Sequence, residues 1–233
     1  MSRPPLALLI PAVLLALGVL ALFLFTFFPG GEPVSPYLAR DAAGETGAAN
    51  LVAGVYLNYR LYDTLFEVLV FAVAVIGVRY YLVGQEEGAA PPIPESPVVR
   101  TAADLLFSPL LLIGVYLVLF GHLSPGGGFA GGVVGGSGLL LCAIGLGGEV
   151  IARRFHEAAL ERAEWLILAG FLLLLLVPVL FGAAPGTDLL PQGTVGNPVS
   201  GGTIVIYNIL IGAKVFIGTW VVIYYFTRHR GEV

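Results

Sequence analysis

Apolar residues run through this chain in long stretches separated by short polar segments. A helix needs roughly 20 apolar residues to cross about 30 Å of hydrocarbon, and about six stretches approach that length. They cover residues 6–28, 63–82, 103–120, 128–147, 165–181 and 203–226. The first follows Arg3 and is too long for a signal peptide, and no small-x-small cleavage site precedes Pro29-Gly30-Gly31. The second is irregular at its start, because residues 49–67 mix apolar turns with Asn58, Arg60, Asp63 and Glu67. This pattern predicts a short helix at the membrane interface, a break near residues 60–62, and a span beginning about Asp63. The expected fold class is therefore all-α, a polytopic membrane protein of about six transmembrane helices plus one short interfacial helix.

Composition agrees, with 58% hydrophobic and 11% charged residues among 233. Residues 84–97 are rich in Pro, Gly and Glu and read as an exposed linker. The expected organisation is a two-span unit at 1–84, a linker at 85–99 and a four-span unit at 100–233. The net charge of -4 shows no basic tract that could follow a phosphate backbone, so nucleic acid is excluded as a partner. Six spans place Arg3, Arg79, Arg100, Arg153, Arg154, Arg162, Arg228 and Arg230 on one side, and Arg40 with Arg60 opposite. The excess of Arg marks the cytoplasmic side, which puts both termini there. The single cysteine, Cys142, lies in an apolar run and reads as a small filler.

Between the third and fourth runs the connection is only about His122 to Gly126, and Pro125 with the following glycines forces a tight reversal. Glycines then recur four apart, at Gly127, Gly131 and Gly135 and at Gly128, Gly132 and Gly136. Such small-xxx-small files let another helix approach closely, so the hairpin is expected to be a docking surface. The same glycines cost about 1 kcal/mol each in intrinsic helix propensity, so the segment depends on its neighbours for order. His122 reads either as a proton carrier or as a loop cap bonded to turn carbonyls. Asp104 suits the first turn of a helix, and Ser108-Pro109 marks a mild kink.

Three ionisable residues in the expected spans are harder to assign to span ends alone. Lys214 lies near the centre of the last one, where a lysine costs about 2.5–3.5 kcal/mol on insertion scales. It reads as a proton-conducting or charge-compensating lysine, or as half of a structural ion pair to another helix or subunit. Tyr207 and Gly218 share its face, with Asn208 just off it. Asp63 and Glu67, four apart, share a face that could receive cations or protons, or else begin a helix with favourable acids. Glu149 is expected to pair with Arg153. No nucleophile with a base, no metal-ligand spacing and no phosphate loop is evident, so the expectation is a non-enzyme with no catalytic residues, cofactor or metal.

The string Gly121-His122-x-x-Pro125-Gly126-Gly127-Gly128-Phe129, following residues 107–120, resembles the signature of the B subunit (MnhB/MrpB) of Mrp-type Na+/H+ antiporters and its counterpart in membrane-bound hydrogenase and sulfane sulfur reductase complexes. That resemblance covers roughly residues 98–226. Residues 49–78 resemble the C-terminal region of the antiporter A subunit, a separate E subunit in the hydrogenase; Asp63, Thr64 and Glu67 fit, while Phe66 replaces a glycine. The chain thus looks like a fusion with its seam at 84–97. The resemblance implies an accessory membrane subunit of a proton- or sodium-translocating complex, with other membrane subunits, the lipid bilayer, H+ and Na+ as partners. It implies an ion pathway through Asp63 and Glu67 and a contact-forming hairpin over His122 to Phe129, Pro125 included; Lys214 and His122, from their positions, are further pathway candidates, and the glycine files, from their spacing, are packing candidates. An acid expected in the last span is Asn208 here, which leans towards the hydrogenase-like branch. The alternative is a purely structural membrane scaffold.

Overall fold

The structure, a computed structural model, describes residues 34–83, 96–147 and 157–229. The chain divides into two units, Met1–Leu38 and Ala39–Val233. Of the first, only the opening of α1 (Val34–Thr46) is described. The expected first span, the linker, and the Glu149–Arg153 pair lie outside the described residues.

Every regular element among the second unit's described residues is helical. After α1 come α2 (Leu51–Gly54), a π-helical turn (Val55–Tyr59), α3 (Leu61–Val83), α4 (Pro97–Leu119), α5 (Gly128–Leu146), α6 (Glu157–Leu180) and α7 (Thr203–His229). Five of these, α3 to α7, are long and apolar enough to cross a membrane. The segment before α3 breaks where the charges predicted it. Asn50 caps α2 by accepting from the Val52 amide, and Arg60 leaves the helical region at φ -122° and ψ 32°. α3 then begins two residues before Asp63.

Two boundaries differ from the hydropathy pattern. α4 begins at Pro97, six residues before the expected 103, because proline suits the first helical turn. α6 begins at Glu157, eight residues before the expected 165. Its first two turns carry acids and an arginine that hydropathy assigns to a loop, yet Glu161 and Glu164 both find cations on neighbouring helices.

α7 is the central helix. α3, α4, α5 and α6 all pack on it, and α4 and α5 form an antiparallel hairpin. One core cluster at the hairpin end joins Leu57, Leu61 and Leu65 to Phe171, Tyr207 and Ile211; a second joins Val75, Leu139 and Cys142 to Trp220. Cys142 is buried there as an apolar filler would be. The outer faces of α4 and α6 remain apolar and exposed, with Leu112, Val115, Leu166 and Leu173 among them. Apolar faces of this kind suit lipid or neighbouring subunits rather than water.

Candidate functional site

At the hairpin end, short polar links tie the segment before α3 to α7, to α3 itself and to the hairpin turn, and tie α5 to α7. The Asn208 side chain, fully buried on α7, accepts through Oδ1 from the Tyr56 hydroxyl at 3.0 Å and the Gly128 amide at 2.9 Å. Because an amide N–H must meet an oxygen, the Gly128 bond fixes which way the Asn208 amide points. Thr64 on α3 donates to the Tyr56 carbonyl at 2.5 Å, satisfying an acceptor in the π-helical turn. Asn50 donates through Nδ2 to the Gly121 and Ser124 carbonyls at 2.7 and 3.0 Å, and its backbone amide donates to the His122 carbonyl at 2.9 Å. The Tyr56 hydroxyl is pushed up to about 12, first by burial and then by the negative charge of Glu67.

Asp63 and Glu67 share one face of α3, as their spacing predicts, and that face points outward: both are exposed. Asp63 accepts from Arg60 Nε at 2.6 Å in an exposed ion pair three residues apart. Glu67, a turn further along the span, has no basic partner within ion-pair distance among the described residues. His122 is fully buried beneath the loop 183–202.

Lys214 is buried in the seam between α6 and α7, where its Nζ lies 2.5 Å from Glu164 Oε1; the side chains are 5% and 15% exposed. One turn away on α6, Glu161 meets Arg79 of α3 at 2.9 Å, and the Arg79 guanidinium sits 5.7 Å from the Tyr225 ring centre. The structure therefore does not gather the four ion-pathway candidates into one constellation. Asp63 and Glu67 face outward on α3, His122 lies under a loop, and Lys214 is paired on the far side of α7.

The glycine files do pack closely, and the helices they admit belong to this same chain. A Cβ at Gly128 would meet Ile211 Cβ at 2.7 Å, one at Gly132 would meet Val215 Cβ at 2.6 Å, and one at Gly136 would meet Thr219 Cγ2 at 2.7 Å, all on α7. On the other side a Cβ at Gly131 would come within 3.0 Å of the Val118 amide on α4, and one at Gly135 within 3.1 Å of the Phe216 ring on α7. Gly127 holds a left-handed φ of 135° as the residue before α5, against the Tyr56 hydroxyl. Phe129 packs partly against the first core cluster, and Pro125 is exposed at the turn.

Sequence reading missed several of these groups. Glu164 looked like a loop charge, and Tyr56 gave no signal among apolar neighbours. Asp188 looked like a loop residue; its Oδ1 accepts from the Thr203 amide at 3.0 Å and the Thr203 hydroxyl at 2.9 Å, capping α7 from a distance of fifteen residues. Among the described residues no three His, Cys, Asp or Glu side chains converge as metal ligands.

A bundle of at least five membrane-length helices, with buried polar links and an ion pair between them, defines an integral multi-pass membrane protein. Residues 98–221 match the family described as a domain related to the MnhB subunit of Na+/H+ antiporter, and the chain belongs to that family. It is similar to a chain of the membrane-bound sulfane sulfur reductase, an archaeal respiratory membrane complex, at 30% identity and a TM-score of 0.72; 95% of this chain and 98% of that one are covered. A chain of the Mrp complex from Dietzia sp. shares the fold at 23% identity and a TM-score of 0.68, over 99% of this chain and 27% of the other. An uncharacterized protein of Methanocaldococcus jannaschii is 29% identical over 196 residues, 72% of this chain and 73% of its own length.

Proposed function

We infer that the chain serves as an accessory membrane subunit of a multisubunit cation/proton antiporter or of a related respiratory membrane complex. In this reading it contributes to the ion pathway as well as to assembly, and carries no catalytic centre of its own. The observation that carries the pathway is Glu67: a carboxylate exposed on the outer face of a membrane-length helix, with no basic partner among the described residues. Such a group is costly against lipid and calls for a neighbouring subunit, a proton or a cation to compensate it. Asp63, one turn nearer the helix start, extends the same acidic face; Lys214 and His122 are the further groups able to take or give a proton. Protons, and sodium as the second cation, are the proposed cargo. The boundaries 1–84, 85–99 and 100–233 remain the proposed domain organisation, with both termini cytoplasmic in a prokaryotic cell membrane.

Subunit packing would use the hairpin from outside the chain. A groove of about 280 Å3 opens where α4, α5 and α7 meet, lined by Val118, Gly131, Gly212, Ala213 and Phe216 among others. Small residues at such a seam let a further helix approach.

One observation favours the scaffold alternative for part of the chain: Lys214 already has its counter-charge in Glu164. Neutralising Glu67 separates the two readings. With Glu67→Gln, the tagged subunit should co-purify with its partner subunits as before while sodium-dependent proton movement in membrane vesicles falls. Normal movement in a normally assembled complex would refute the pathway, and loss of assembly with coupling intact in the remaining complex would favour the scaffold.

A further inference from the structure

His122 is 0% exposed, and the cover over it is the loop 183–202. A Cβ at Gly201 would lie 3.3 Å from His122 Cδ2, so the loop backbone rests directly on the ring. Gly201 holds φ +91°, a left-handed conformation that favours glycine there. The carbonyls of Asn197, Leu119 and Pro198 lie around the imidazole, but neither ring nitrogen forms a well-shaped hydrogen bond.

No counter-charge meets the ring from any side among the described residues. The hairpin 120–127 carries no acid or base besides His122, α4 has its one acid, Asp104, at the opposite end, and α7 has no charge before Lys214. On the loop, Asp188 is held by Thr203. In the segment before Asn50, Arg40 and Asp41 pair with each other, and the Glu45 carboxylate accepts from Tyr59.

We propose that His122 is an acid-released clasp: its neutral imidazole lets the loop 183–202 close over the hairpin, and protonation opens that loop. A neutral imidazole can be buried at modest cost, whereas an imidazolium with no carboxylate beside it must regain water. Burial accordingly lowers the proton affinity of His122 below its usual range, with the surrounding carbonyls opposing in part. The sign follows from linkage. The closed form resists a proton that the open form accepts, so closure is fully stable above about pH 6.5 and weakens as the pH falls towards the depressed value. The loop is suited to open locally. Most of its residues are exposed, and few bonds tie it to the rest of the fold. At one end the Ala183 and Gly186 amides donate to the Pro178 and Leu175 carbonyls at 3.1 and 2.8 Å. At the other, Thr203 donates to Asp188 and the Ile204 amide to the Gly201 carbonyl, and between them the Gln192 side chain donates to the Glu45 carbonyl. The clasp works on the loop and the ring alone and would operate even in a subunit that moves no ions.

Hydrogen exchange on the purified intact complex tests it, with rates corrected for the intrinsic effect of pH. Peptides covering 183–202 should exchange about fivefold faster near pH 5.5 than near pH 7.5 in the wild type, while His122→Gln removes the difference. Equal protection of the wild-type loop at both pH values, or a pH response retained in His122→Gln, would overturn the clasp. If that variant does not assemble, the wild-type midpoint decides. A midpoint below about 6.5 and above the carboxylate range supports His122, and one in the carboxylate range, near about 4, would assign the change to another group and overturn it.

Discussion

Two of the seams along α7, those with α5 and α6, are held by opposite means. Against α5 it packs through absence: Gly128, Gly132 and Gly136 present no side chains, and Ile211, Val215 and Thr219 fill the space. Against α6 it packs through presence: Lys214 reaches Glu164 across the seam, beside the contact of Phe171 with Tyr207, whose ring centres are 4.8 Å apart. In lipid the hydrophobic effect does little to bring helices together, so close van der Waals contact and polar links must do so instead. The glycine seam uses the first in nearly pure form. The ion-paired seam uses the second, with Lys214 buried and Glu164 largely covered beside it. One seam can therefore be broken by adding a methyl group, and the other by removing a charge.

The largest effect is expected at the charged seam. Lys214→Met leaves the Glu164 carboxylate mostly buried and unpaired, which should cost about 3–5 kcal/mol and show as a lowered unfolding midpoint in detergent. An unchanged midpoint would mean that the pair adds nothing to the fold. At the glycine seam, Gly132→Ala places a methyl 2.6 Å from Val215 Cβ and 2.8 Å from the Gly212 carbonyl, both too close for a real side chain. The helices must part, at about 1–3 kcal/mol in the same measurement. A variant as stable as the wild type would show that α5 and α7 are not in this contact.

Asn208→Leu sits where the glycine seam meets the polar links. It strands the Gly128 amide and the Tyr56 hydroxyl, and should cost about 1–3 kcal/mol. Tyr56→Phe in the same background should then add little, since its partner is already gone. The smallest effect is expected at Arg79→Gln, where the ion pair with Glu161 is well exposed, at 38% and 43%, so its loss should cost less than about 1 kcal/mol. A larger loss would place that pair in a far drier environment than its exposure implies.

The two seams also differed in how much of them could be read beforehand. The glycine files are periodic, and period four on a helix leads straight to close packing whatever the partner. What the period does not contain is the partner's identity, and the helices that fill both files are α4 and α7 of the same chain. Lys214 was legible as a charge needing a counter-charge. Glu164 was not, because hydropathy counts an acid among arginines as loop, and only tertiary packing shows that α6 begins two turns early. The break at Arg60 and the shared face of Asp63 and Glu67 followed from local spacing and were found where expected. Tyr56 and Asp188 act across 152 and 15 residues of chain, and no local pattern marks contacts of that kind.

The most direct measurement pairs stability with transport in one variant, Lys214→Met with Glu164→Leu, in the assembled complex. Replacing both partners removes the stranded charge, so the double variant should regain most of the stability that either single change loses. If the ion pathway runs through Lys214, this stable and fully assembled complex should nevertheless lose sodium-dependent proton movement by at least about tenfold, equivalent to about 1.4 kcal/mol on the rate-limiting barrier. A stable double variant that moves protons at the wild-type rate would contradict that account and leave the pair with a structural role alone.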